Sequence, residues 1–293
     1  MSPTPVAAGD FVLSLSCDDR PGIVHAVTGF LVRHGGNILE SQQFGDRQSG
    51  KFFMRIDFSV EGSGSGGVDA DELRSEFAAV AEMFAMDFEL WDARAPYRTL
   101  IMVSKHLHCL NDLLFRTSTG SLQIDIPAIV SNHTDAARLA ETYGIPFHHV
   151  PVTPDTKPEA EAELLRLVKE HDVHLVVLAR YMQVLSDGLC RELSGRAINI
   201  HHSFLPSFKG AKPYHQAYDR GVKLIGATAH YVTSDLDEGP IIEQDVVRVD
   251  HTHDQDSLVA AGRDVEAQVL SRAVRWHSQS RVLLNGHRTV VFR

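Results

Sequence analysis

Between residues 11 and 91 the hydrophobic pattern changes period in a fixed order. Residues 11–17 fit a strand, 22–34 a helix, 38–44 and 52–60 two strands, 69–85 a helix and 86–91 a strand. The order βαββαβ is the ferredoxin-like plan. Pro21 stands at the expected start of the first helix, and Gly35 and Gly36 follow its end, where positive φ is cheap for a residue without Cβ. From residue 98 the pattern alternates instead. Strands are expected over 100–104, 125–131, 147–150 and 175–179, with helices over 108–116, 135–143 and 158–171 between them. Further strands over 196–200 and 224–233 precede a long helix from about 256 to 279. Such alternation predicts an α/β, Rossmann-like domain with a mostly parallel sheet and helices on both faces. The expected domains are therefore 1–92 and 98–293, with Pro96 interrupting a linker over 93–97.

Composition narrows the class. With 293 residues there is room for two cores, and 43% hydrophobic with 23% charged residues is ordinary for a soluble globular chain. A net charge of -10 argues against nucleic acid as the main partner. Cys17, Cys109 and Cys190 are scattered and odd in number, which favours free thiols in a reducing compartment. No apolar run approaches a membrane span, and residues 1–10 have neither the basic start nor the hydrophobic core of a signal peptide, so the cytoplasm is expected. The glycine-rich run over 62–67 precedes an acidic helix start rather than following the first strand of a parallel unit. It reads as a surface loop, not a phosphate cradle.

The candidate chemistry sits late in the chain. Asn199 and His201 lie two apart at the end of an expected strand, so their side chains project to one face. An Asn amide can donate to a carbonyl oxygen gaining charge, and a His can move a proton at neutral pH. Asp237 follows the strand over 224–233 on a loop closed by Glu238, Gly239 and Pro240, where it could hold a water and keep His201 protonated. Each of the three, alone, also fits a turn former or a satisfied polar group. Metal chemistry has a weaker basis. His106 with His108, and His251 with His253 and Asp254, have His-x-His spacing, but no H-E-x-x-H pair occurs and Asp254 or Asp256 reads as a helix N-cap. No metal is expected.

The segment Leu178, Ala179, Arg180, Tyr181, Met182, Gln183, Val184, Leu185, the run from Asn199 through His202, Ser203, Phe204 and Leu205 to Pro206, and the stretch from Gly226 to Pro240 resemble the folate-dependent formyltransferases. In that family Asn-x-His and a downstream Asp are the catalytic trio, which here implies Asn199, His201 and Asp237. The first 92 residues resemble an ACT module, so the whole chain is similar to the deformylase branch of the family. That resemblance implies hydrolysis of 10-formyltetrahydrofolate to formate and tetrahydrofolate, within one-carbon metabolism and purine biosynthesis. The folate is then a substrate, with no tightly bound cofactor. It further implies a folate pocket formed by Met182, Gln183, Val184, Leu185, Asp235 and Leu236 beside His230. An ACT module implies a small effector such as methionine or glycine near Asp19, Arg20, Gly22, Ile23, Gly36 and Asn37, and pairing into a dimer or tetramer; a mere packing role remains the alternative.

One departure bears on the acceptor. Glycinamide ribonucleotide formyltransferase carries a glycine- and serine-rich phosphate loop after its first strand, whereas here the turn from Ser104 to Asp112 contains Lys105, His106, Leu107 and His108. Bulky side chains keep backbone amides from wrapping a phosphate, so water becomes the expected acceptor. Transfer to a phosphate-free amine, or a folate sensor without turnover, are the readings that compete.

Overall fold

The computed structural model describes residues 11–60, 69–206 and 213–293, so the glycine-rich run over 62–67 lies outside the described residues. The chain divides into two compact units, one holding the described residues up to Pro96 with Gln279–Asn285 and Thr289–Arg293, the other holding Tyr97–Ser278 and Gly286–Arg288.

In the first unit β1 (Phe11–Asp18), α1 (Ile23–Arg33), β2 (Gly36–Asp46), β3 (Lys51–Val60), α2 (Ala70–Phe84) and β4 (Asp87–Asp92) follow the expected order. The antiparallel sheet runs β2-β3-β1-β4, and both β-α-β halves bring their helices to one face of it. Phe11, Leu13 and Leu15 of β1 meet Val27, Phe30 and Phe77 of the helices in one buried cluster. Phe30 and Phe77 pack edge to face at 5.1 Å, an arrangement that the ring quadrupole favours. Asp69 caps α2 through a carboxylate that accepts from the Asp71 amide.

The second unit comprises β5 (Thr99–Val103), α3 (His108–Ser118), β6 (Ile129–Ser131), α4 (Ala137–Thr142), β7 (Phe147–His149), α5 (Lys157–Glu170), β8 (Leu175–Leu178), α6 (Asp187–Glu192), β9 (Ala197–His201), α7 (Pro213–Asp219), β10 (Leu224–Tyr231), β11 (Ile241–Arg248) and α8 (Gln255–Ser278). Its sheet runs β11-β10-β9-β8-β5-β6-β7. β5 and β8 are buried at every position, as their unbroken apolar runs require when both faces are covered. Strand order reverses between β5 and β8, and their following loops open a crevice at the carboxyl ends, where open α/β sheets bind ligands.

Two features depart from the pattern expected of the sequence. β10 and β11 are antiparallel to their neighbours. The connection over residues 232–240 is too short for a parallel crossover, so it closes as a hairpin. At the carboxyl end, β12 (Val282–Asn285) and β13 (Arg288–Val291) form a hairpin within the first unit, whereas a second domain running to residue 293 was expected. Gly286, at φ 62°, opens its two-residue loop. The hairpin is tied down by charge: Arg281 donates to Glu40 at 2.8 Å, Arg55 to the Gln279 carbonyl at 3.0 Å and Asn285 to Asp46 at 2.8 Å. Among the described residues no helix is long and apolar enough to cross a membrane.

Candidate active site

β9 delivers the first two candidate groups. Its alternation sends Ile198 and Ile200 into the core and places Asn199 and His201 on a cavity wall. The chain beyond His201 is held by Thr228 of β10. That hydroxyl donates to the Ser203 carbonyl at 2.9 Å and accepts from the Leu205 amide at 3.0 Å and from Gln244 at 2.9 Å. Neither Thr228 nor Gln244 had been given this bracing role by the sequence, because the contact joins strands far apart in the chain.

Asp237 reaches the same wall by an indirect route. Because β10 runs opposite to β9, pairing Tyr231 with Ile198, its loop starts behind His201 rather than beyond it. The loop turns back. The Tyr231 amide donates to the Pro240 carbonyl at 2.9 Å, and a Cβ on Gly239 would lie 1.7 Å from the Tyr231 oxygen, so only glycine admits this approach. Asp237 sits at φ 58° and brings Oδ1 to 3.2 Å from His201 Nδ1. The ring bond draws the Asp237 carboxyl below its usual range, outweighing the opposite effect of burial. His201 Nε2 is buried with no hydrogen-bond partner among the described residues.

His230, expected among the substrate contacts, is engaged inside the protein. Its Nδ1 lies 2.9 Å from the Tyr231 carbonyl, which fixes the proton on that nitrogen. Nε2 then accepts from the Asn199 amide at 3.2 Å, and burial lowers the pKa of the ring. One N–H of Asn199 is thereby held, and a primary amide carries a second.

The cavity has a volume of about 750 Å³. One end is apolar and open: Met182, Val184 and Leu236 are 55%, 57% and 63% exposed, with Gln183 and Leu185 beside them. Asp235 is the one expected pocket residue away from the wall; its carbonyl instead accepts from Thr233 and Glu238 within the loop. Another stretch of the wall is polar, with His106 and Arg263 exposed around a buried carboxylate. Glu266 of α8, 1% exposed, accepts from Tyr214 at 2.5 Å and from His108 at 2.8 Å, and lies 3.4 Å from Arg180 Nε. Burial pushes the Glu266 pKa up, but the His108 bond, the Arg180 charge and the Tyr214 bond together bring it below the usual range. Gly262 lets Tyr214 cross α8, since a Cβ there would meet the ring at 2.2 Å. His202 stacks on His201 with ring centroids 5.1 Å apart, and burial with the Arg180 charge pushes its pKa down to about 3.

His106 and His108 of the first turn both line this polar stretch. Among the described residues His108, Cys109 and Glu266 form the one group with metal-donor spacing. The same Glu266 oxygen is shared by His108 and Arg180, and a guanidinium beside it disfavours a cation. At the other His-x-His pair, Asp254 caps α8 by accepting from the Ser257 amide at 2.8 Å, and His253 bonds Asp250 at 3.0 Å.

The six expected effector residues fall into two groups. Asp19, Arg20, Gly22 and Ile23 stand at the amino end of α1, where Gly22 is the N-cap at φ 99° and Arg20 lies over the Phe84 ring at 4.6 Å. Ile23 is buried, so its side chain serves the core. Gly36 and Asn37 open β2 past the other end of that eleven-residue helix, about 16 Å away at 1.5 Å per residue. One copy of the chain does not bring the two groups together.

A formyl transferase family model matches residues 97–274 and an ACT domain model residues 11–72, so fold and sequence agree on an ACT-linked member of the formyl transferase class. Formyltetrahydrofolate deformylase of Corynebacterium sp. (strain P-1) is 59% identical over 283 residues, spanning 96% of this chain and 98% of its own length. The crystal structure of formyltetrahydrofolate deformylase from Burkholderia mallei ATCC 23344 is 54% identical, covers 97% of this chain and 99% of that one, and superposes with a TM-score of 0.91. The corresponding structure from Pseudomonas syringae pv. tomato is 50% identical, with a TM-score of 0.92 over 97% of this chain and 94% of that one. The chain belongs to the formyltetrahydrofolate deformylase family.

Proposed function

We propose that the protein hydrolyses 10-formyltetrahydrofolate to formate and tetrahydrofolate at Asn199, His201 and Asp237. The observation that carries this reading is the His201–Asp237 pair at 3.2 Å, on the same cavity wall as an Asn199 amide oriented by His230. The pterin lies in the apolar end among Met182, Val184, Leu185 and Leu236, which sets the formyl carbon beside the trio. Asp237 meets His201 through Oδ1 and holds the attacking water with its other oxygen. As the water oxygen bonds to carbon, negative charge on the formyl oxygen is taken up by the remaining Asn199 N–H and by His201 Nε2–H. The C–N bond then breaks, and the proton lost by the water ends on the departing folate nitrogen. Neither a metal nor a tightly bound cofactor takes part in this scheme.

The ACT unit serves regulation by a small amino-acid effector such as methionine or glycine. Because α1 separates the two groups of effector residues, a complete site needs a second copy of the chain. β2 is an edge strand with Ile38, Leu39 and Phe44 exposed, which suits pairing into a dimer or tetramer. The cytoplasm fits a chain with three buried free thiols.

Incubation of the purified protein with 10-formyltetrahydrofolate alone tests the reading. Catalytic release of formate without any added amine is the expected result. Formyl transfer that starts only when an amine is supplied, or binding without reaction, contradicts it.

A further inference from the structure

Arg180 is held in an unusual way for so costly a side chain. It follows β8 at φ 63°, a left-handed conformation that L residues other than glycine rarely adopt. The backbone is fixed on both sides: the Arg180 carbonyl accepts from the Ser104 amide at 3.2 Å, and the Met182 amide donates to Ser104 Oγ at 3.0 Å. The turn thus sets the guanidinium on the polar wall of the cavity. Arg180 is 9% exposed, and its Nε and Nη1 are sealed from solvent with no hydrogen-bond partner among the described residues. The nearest carboxylate, Glu266, lies 3.4 Å from Nε and already accepts from His108 and Tyr214. Backbone strain together with unused buried donors marks a place built for an acceptor supplied from outside.

The acceptor's chemistry follows from the charge. A guanidinium N–H left without a partner binds an anionic oxygen most strongly, and a carboxylate supplies one. The exposed Arg263 lines the same cavity, so two guanidinium groups share it with the Glu266 carboxylate. His202 stacks on the His201 ring and so stands next to the trio, and the Arg180 charge is felt on it. Resting on the proposed hydrolysis, a carboxylate is created one ring away: formate, formed beside the ionised Asp237 that repels it. We propose that Arg180 forms a carboxylate subsite, reached past His202, that receives formate from the trio before it leaves. The glutamyl tail of a folate is the other carboxylate in the system. The two sources are told apart by measurement, because a folate tail bound at Arg180 would raise the KM of the glutamylated substrate alone.

Three measurements on the full chain test this, with Arg180→Met and Arg180→Gly as variants, the second chosen because glycine suits φ 63° and preserves folding. Carbon-13 formate, titrated against wild type and followed by its NMR line width, reports binding whether or not the enzyme turns over; both variants are expected to weaken it at least tenfold. In steady state, formate should inhibit the wild type, with acetate at equal ionic strength as control, and the inhibition constant should rise at least tenfold in both variants while the folate KM moves less than twofold. Equal formate binding by wild type and both variants overturns the proposal, as does a wild type that binds no formate. A KM that rises for the glutamylated folate but not for 10-formyltetrahydropteroate, with formate binding unchanged, assigns the subsite to the folate tail instead. Absence of turnover in wild type with formate binding intact contradicts the proposed reaction and leaves the subsite standing.

Discussion

Asn199, His201 and Asp237 are each fixed by a neighbour. His230 turns the Asn199 amide, the Asp237 carboxylate meets His201 Nδ1, and the close Gly239 approach holds the Asp237 loop. Replacing Asn199 or Asp237 by Ala should lower kcat for formate release by about two to three powers of ten, the usual cost of one group that stabilises the transition state. Steady-state kinetics check this, and turnover within tenfold of wild type for both variants contradicts the roles. The pair on β9 was legible because a strand's period of two puts Asn199 and His201 on one face. Glu266 was not legible. Its partner His108 lies 158 residues away, and a polar cluster assembled from a turn and three helices leaves no local pattern to read.

At the scale of elements, α8 shows how one residue without a side chain can set a wall. Gly262 admits the Tyr214 ring, and Tyr214 then bonds Glu266. A Gly262→Ala change should displace that ring and cost about 1–3 kcal/mol, as overpacking typically does. Gly29 in α1 offers the contrast, since its nearest contact to an added Cβ is a flexible Arg33 tip at 3.8 Å. Gly29→Ala should therefore stabilise by about 0.5–1 kcal/mol through helix propensity alone. Urea denaturation distinguishes the two; destabilisation by both or by neither contradicts the packing account. The βαββαβ order and the alternating second unit were readable from hydrophobic period. The antiparallel β10 and β11 and the closing hairpin were not, because strand direction depends on connection length and partner, which period does not encode.

For the whole molecule, two part-buried imidazoles set the acid limit of stability. Burial pushes His277 down to about 4, with its ring nitrogens 2.9 Å and 2.7 Å from the Tyr97 and Tyr231 hydroxyls, and His202 down to about 3. Both values lie below the unfolded 6.5, so in acid the unfolded chain binds protons that the fold refuses, and stability falls as pH drops from about 6.5 towards 4. For His277 the shift corresponds to on the order of 3 kcal/mol. Asp237, held below 3.8, contributes in the same sense over a lower window: its stabilisation is present above that value and is lost only in stronger acid. Urea midpoints should fall steadily across the window, and His277→Gln should flatten the curve; a wild-type midpoint independent of pH between 6.5 and 4 contradicts the burial argument. The account rests above all on water as the acceptor of the formyl group. Turnover of 10-formyltetrahydrofolate in oxygen-18 water, with formate analysed by mass spectrometry, tests this most directly. Formate carrying one solvent oxygen is predicted, whereas unlabelled formate, or formyl recovered on an amine, would contradict it.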